Sequence, residues 1–265
     1  MLSYKAEQQV VDENSAFQLA VLSVIGDRED QQDSFGYTLR QNEGLVVVCD
    51  GMGGHEGGKR ASELATELFL SRYAEKPFPT PPGEAMVDIA EQADRAIAQL
   101  KNQNGDPLKA GSTLVAVLVD RKKLSWCSVG DSRAYLLREG ELVQLTQDHN
   151  YRTVLIEKQN AGLLDTAEFE KENARGEALI SFLGIGNLAL VDYAEAPLEL
   201  KKDDKLVLMS DGLYKVLSDA EIGRILDNFN NVSEAVQALE MKAQKNVKGK
   251  DESRDNMTVA LIKVK

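Results

Sequence analysis

Leu45-Val46-Val47-Val48-Cys49-Asp50-Gly51-Met52-Gly53-Gly54-His55-Glu56-Gly57-Gly58-Lys59-Arg60-Ala61-Ser62 is the stretch that decides how this chain is read. An apolar run ends in Asp50. A loop with five glycines follows, holding His55, one of two histidines in the protein. A helical pattern then opens, with Ala61, Leu64, Ala65, Leu68 and Phe69 at helical spacing as far as about Tyr73. A carboxylate leaving a buried strand into a loop that can approach a ligand closely marks a reactive centre.

Upstream, Phe17 to Ile25 reads as a strand stopped by Gly26, and the polar segment 27–34 leads into a strand from Phe35 to Leu39. Downstream, Thr80 with Pro81 fits the start of a second helix that carries Met86, Ile89, Ala90, Ala93, Ile97 and Leu100. Thr113 to Val119, Leu124 to Val129, Arg133 to Leu137 and Leu142 to Leu145 are short β-type runs. Their separators are short enough for hairpins and too short for parallel crossovers, which predicts an antiparallel meander. Residues 147–190 are polar and mostly helical in pattern, with a capping box at Asp165 to Glu168, and read as an inserted flap. Leu206 to Ser210 is a second apolar run ending in an aspartate, Asp211. Capped helices begin at Ser218 and Asn231, and Asp255-Asn256 leads into a last strand, Met257 to Val264. Helices packed outside antiparallel sheets, an α+β protein, accommodate this order.

The 265 residues are ample for a sizeable core. A net charge of −12 disfavours nucleic acid and anionic membrane surfaces. Cys49 and Cys127 sit inside apolar runs and read as buried thiols of a reducing compartment. The polar N-terminus has no signal-peptide core, and no apolar run approaches the ~18 residues of a membrane span. A cytoplasmic protein is expected.

Three phosphate-type readings compete. Gly53 to Lys59 matches the G-x-x-x-x-G-K of a nucleotide-binding P-loop. However, Arg60 stands where a Ser or Thr would hold Mg²⁺, and Glu56 would put a carboxylate into the anion cradle. Cys127 to Arg133 has the C-x₅-R spacing of a thiol phosphatase, but β-type residues flank it on both sides and Asp131 would enter the cradle. The third reading collects aspartates. Asp50, Asp131 and Asp211 each end an apolar run and Asp255 precedes another. Carboxylates delivered together to strand ends need cations, and Mg²⁺ or Mn²⁺ suits all-oxygen ligands.

On this third reading the chain resembles the metal-dependent protein phosphatases, the type 2C serine/threonine phosphatases, in their bacterial form. The matching segments run in order: Arg28…Asp33, Asp50-Gly-Met-Gly-Gly-His55, Gly111-Ser112-Thr113, Val129-Gly-Asp-Ser-Arg-Ala-Tyr135, Leu145-Thr-Gln-Asp-His149, Ser210-Asp-Gly-Leu213 and Asp255-Asn-Met-Thr258. The resemblance implies one catalytic domain over residues 1–265. It would be a four-layer αββα sandwich of two antiparallel sheets flanked by pairs of helices, with metals in a cleft at one edge and the 147–190 segment as a flap.

The resemblance also implies roles. Asp50 bridges two Mn²⁺ or Mg²⁺ ions, the Gly51 carbonyl binds one of them, and Asp211 and Asp255 complete the other. Asp131 joins Asp211 in a third, weaker ion site. Two ions activate a water for in-line attack on phosphorus without a covalent intermediate. Arg28 binds the phosphate, and Asp33 and Asn256 act from behind the ligands. His55 is either the proton donor to the leaving oxygen or a helix-start histidine with a structural bond. His149 reads as an anchor for the flap. Two departures stand out: Gln31 replaces the family's Asn, and Leu179-Ile-Ser-Phe-Leu-Gly184 lacks a basic residue. The expected substrates are phosphorylated proteins, those of a serine/threonine kinase, acted on by a monomer. The alternative from another class is a non-catalytic phosphoprotein-binding module of the same fold.

Overall fold

The computed structural model describes residues 6–75, 78, 81–248 and 253–265, with the backbone alone at 6, 7, 55 and 248. The strands are β1 (Ala6–Glu13), β2 (Phe17–Val24), β3 (Asp33–Leu39), β4 (Glu43–Met52), β5 (Gly111–Ser112), β6 (Leu114–Asp120), β7 (Lys123–Val129), β8 (Arg133–Arg138), β9 (Glu141–Gln144), β10 (Asp192–Tyr193), β11 (Leu198–Glu199), β12 (Lys205–Met209) and β13 (Met257–Val264). The helices are α1 (His55–Glu75), α2 (Gly83–Ala98), α3 (Tyr151–Asn160), α4 (Thr166–Glu172), α5 (Asp211–Tyr214), α6 (Asp219–Asn228) and α7 (Val232–Lys248), with a 3-10 turn at Asn173–Arg175.

Among the described residues the strands form two antiparallel sheets. One has the order β1-β2-β13-β12-β8-β9. The other has the order β10-β7-β6-β4-β3, with β11 also on β7 and β5 also on β4. Each central strand is apolar on both faces, and the two faces go to different cores. On β4, Leu45, Val47 and Cys49 pack against α1 and α2, while Val46 and Val48 face the opposing sheet. On β13, Val259 and Leu261 pack towards α6 and α7, while Ala260 and Ile262 face inward. Three cores therefore separate four layers, α1/α2, sheet, sheet and α6/α7, as the resemblance implies. Burial on both faces explains why these strands read as continuous apolar runs rather than as alternating ones.

Three local features differ from the sequence reading. β1 is an edge strand hydrogen-bonded to β2, and its polar residues hid it, because charged side chains are what an edge tolerates. The second helix starts at Gly83 with Pro82 in the capping position. Pro81 precedes another proline and is thereby held out of the helical region; Thr80 lies outside the described residues. Asp211, expected only as the aspartate that ends an apolar run, opens a helical turn, α5. The capping boxes at Asp165 and Ser218 are formed as expected. Among the described residues no helix is long and apolar enough to cross a membrane.

Candidate active site

The pairing register brings the aspartates to one end of the sandwich. Asp33 at the start of β3 lies directly opposite Asp50 near the end of β4. β12 ends beside the start of β13, with Met209 opposite Val259, so Asp211 follows one strand where Asp255 precedes the other. β7 ends beside the start of β6, with Val129 opposite Leu114, and Asp131 follows it. A cleft of about 470 Å³ opens there, lined by Arg28, Asp30, Asp50, Gly51, Asp211 and Asp255 among others.

Hydrogen bonds between the short motifs hold this end together. The Asp50 N–H donates to Thr113 Oγ1 at 2.9 Å, and Ser112 Oγ and the Thr113 N–H donate to the Asp50 carbonyl at 3.1 and 2.8 Å. Thr113 Oγ1 also pairs with Ser132 Oγ at 2.6 Å, tying the Asp131 loop to the Asp50 strand. Ser210 Oγ donates to Asp33 Oδ2 at 2.7 Å and accepts from the Thr258 N–H at 2.9 Å. Asn256 clips the Arg28 loop. Its Nδ2 donates to the carbonyls of Ile25 and Asp30, at 2.8 and 3.1 Å, and its Oδ1 accepts from the Gln32 N–H at 2.8 Å. Gln31 Nε2 donates to Ser23 Oγ at 3.0 Å and its Oε1 accepts from the Asp33 N–H at 3.1 Å, so the longer side chain still orders the start of β3. Gly51 and Gly58 let α1 close onto the strand end: a Cβ on Gly51 would meet the Gly58 carbonyl oxygen at 2.1 Å.

Electrostatics shows the convergence. Burial pushes the pKa of Asp50 well above the usual carboxylate range, and Asp33, Asp211, Asp131 and Asp255 each add to the shift. Burial also pushes Asp33 up to about 7, opposed by the Ser210 hydrogen bond and reinforced by Asp211 and Asp255. Asp131 rises to about 6 through burial and Asp211, with Lys215 pulling the other way. Among the described residues, two protein cations pair with this negative cluster. Arg28 Nη2 lies 2.6 Å from Asp255 Oδ2, with its side chain 57% exposed. Lys215 Nζ pairs with Asp211 Oδ2 four residues before it.

Among the described residues no three Asp, Glu, His or Cys side chains close into a ready cage for one ion. Like charges repel one another, and Arg28 and Lys215 draw Asp255 and Asp211 aside. The donors nevertheless fit hard divalent cations at the Asp50 side of the cleft. They are all oxygens around a space wide enough for ions that keep part of their water shell. The buried Asp33 Oδ1 has no hydrogen-bond partner, an orphaned acceptor that a water of such an ion would satisfy.

The remaining candidates separate clearly. The backbone of His55 opens α1; its side chain lies outside the described residues. His149 is buried, its Nδ1 accepts from the Gly130 N–H at 3.2 Å, and its carbonyl accepts from the Ile180 N–H at 2.9 Å. Burial lowers its pKa, against the pull of Asp192 and Asp148, which fits a neutral, structural imidazole. Lys59 is exposed on the first turns of α1, and the sheet behind it is antiparallel, so the P-loop reading has no frame. Cys127 is buried on the helix side of β7, where burial raises its thiol pKa far above the usual range. Arg133 is held instead by Asp148, at 2.9 and 2.7 Å, over the Tyr214 ring. Sequence reasoning missed Lys215. Its only signal was the four-residue spacing from Asp211, legible once 211–215 is known to be helical.

A profile of the protein phosphatase 2C family matches residues 23–248. A serine/threonine phosphatase, stp, of Listeria monocytogenes is 32% identical over 243 residues, covering 89% of this chain and 90% of that protein. Among solved structures, the Streptococcus agalactiae serine/threonine phosphatase superposes with a TM-score of 0.77 at 27% identity, covering 94% of this chain and 100% of that one. The catalytic domain of the phosphatase PstP, in complex with two manganese ions, superposes with a TM-score of 0.73 at 27% identity, covering 94% of this chain and 98% of that one.

Proposed function

The chain belongs to the protein phosphatase 2C family, and from that premise we propose that it is a metal-dependent phosphatase hydrolysing phosphoserine and phosphothreonine on proteins. The observation that carries this reading is the electrostatic focus on Asp50, which feels Asp33, Asp131, Asp211 and Asp255 from one end of the sandwich. So much converging negative charge suits cations.

Asp50, the Gly51 carbonyl, Asp211 and Asp255 would hold two Mn²⁺ or Mg²⁺ ions. The ions would supply Lewis-acid stabilisation of the phosphoryl oxygens and a water of lowered pKa. The chain's own residues do the rest. Arg28, at the rim of the cleft, presents a planar fork to phosphate oxygens and orients the phosphoryl group. Asp33, held by Ser210, would accept a hydrogen bond from a water of those ions, and Asn256 positions the Arg28 loop. His55 protonates the leaving serine or threonine oxygen. His149 is unsuited to that task, since its Nδ1 is engaged and its ring buried.

Residues 1–265 act as one catalytic domain with 147–190 as its flap. The protein works as a cytoplasmic monomer on the products of a serine/threonine kinase. The charge of −12 and the two free buried cysteines support a reducing compartment without nucleic-acid or membrane partners.

Hydrolysis of a phosphothreonine peptide tests the reading, measured with Mn²⁺, with chelator, and in Asp50→Asn. Turnover should need Mn²⁺ and disappear in the variant. Chelator-insensitive turnover would overturn the metal mechanism. Peptide binding without turnover at saturating Mn²⁺ would favour the non-catalytic module.

A further inference from the structure

The corner where Asp131 and Asp211 meet does not fit a third ion, because a lysine of this chain already stands there. α5 places Lys215 one helical turn after Asp211, and its ammonium pairs with Asp211 Oδ2. Its other neighbour is Glu177 Oε2 at 3.9 Å, from the 147–190 segment, and Glu177 Oε1 is held in turn by Arg152 Nη2 at 2.5 Å. Asp131, buried beside them, feels both Asp211 and Lys215. α5 has little freedom to carry the lysine away: the Arg133 guanidinium, fixed by Asp148, lies 3.7 Å from the centre of the Tyr214 ring. A divalent ion entering this corner would have to displace one cation from Asp211 and then sit beside it.

We propose that Lys215 is a built-in cation that takes the place of the third, weaker metal ion between Asp131 and Asp211, and links that corner to the 147–190 segment through Glu177. The chain then takes two divalent ions where the family resemblance implies three. The inference rests on the two-ion reading of the Asp50 site.

Mn²⁺ titration of the full chain by calorimetry and electron paramagnetic resonance tests it without recourse to activity. The proteins are the unmodified chain, Lys215→Met, Lys215→Arg and the double variant Lys215→Met/Asp131→Asn. Two ions are expected on the unmodified chain and on Lys215→Arg. Lys215→Met should gain a third, weaker site, and the double variant should lose it again. Three ions on the unmodified chain, or two on Lys215→Met, would overturn the proposal while leaving the two-ion site intact. Absence of Mn²⁺ binding to the unmodified chain would overturn both. The Lys215 side chain is 42% exposed, so Met is tolerable there; if that variant does not fold, Lys215→Gln asks the same question.

Discussion

Asn256, which lines the cleft, makes three hydrogen bonds to one loop, at Ile25, Asp30 and Gln32, and so carries the geometry of Arg28. Removing it leaves two carbonyls and an N–H without their partner. Asn256→Ala is expected to cost about 1–3 kcal/mol in a thermal melt. It should also lower kcat/KM by roughly 10–100-fold, as loss of an orienting partner does. A variant with unchanged kinetics would show that the loop orders itself. Cys127 makes the opposite case. It is fully buried in the core between β7 and the helices, so Cys127→Ser should retain kcat while losing about 1–3 kcal/mol of stability from an added buried hydroxyl. Loss of turnover with the fold intact would revive the thiol chemistry that the C-x₅-R spacing suggested.

At the scale of elements, α2 controls the far end of the 147–190 segment. Asp94, buried on α2, accepts from the N–H groups of Gly184 and Gly186 at 2.8 and 2.9 Å. The Leu183–Ser112 bridge ties the same stretch to the strand beside Asp50. Further out, α3 and α4 are thinly packed, and Leu163 between them is 76% exposed. Asp94→Ala should free the anchor rather than the helices, at about 1–3 kcal/mol. Limited proteolysis with mass spectrometry should then show new cleavage around residues 184–190 before the sandwich is cut. Cleavage unchanged from the unmodified chain would mean that the Leu183 bridge suffices.

For the whole molecule, the aspartate cluster sets a pH dependence. Asp33, Asp50 and Asp131 have folded pKa values above the unfolded value of about 4. The native state therefore binds more protons than the unfolded chain between about pH 4 and 7. In that window the contribution of these groups to stability falls as pH rises. Asp131, raised to about 6, accounts alone for on the order of 3 kcal/mol. Divalent ions bind the deprotonated carboxylates, so the gap in Tm between Mn²⁺ and chelator should widen from pH 5 to pH 8. A gap that is constant over that range would mean that the cations bind elsewhere.

Much of this architecture is legible in one dimension. Apolar runs of strand length, short hairpin separators and capping residues are local signals, and burial of both strand faces made the runs unambiguous. The aspartates were visible as strand-end residues, because a carboxylate after Val46-Val47-Val48-Cys49 has nowhere to go but the end of the sheet. β1 was hidden because its pairing comes from backbone groups that any sequence carries, and its edge position favours polar side chains. Which carboxylates meet, and which cation meets them, was decided by tertiary structure alone. Asp33 faces Asp50 through the β3–β4 register, and Asp211 approaches Asp255 through a pairing of strands about fifty residues apart in the chain. Lys215 reaches Asp211 because that aspartate starts a helical turn rather than a loop. Contacts of this kind depend on register and on the direction of one short helix, and neither is written in the residues that make them.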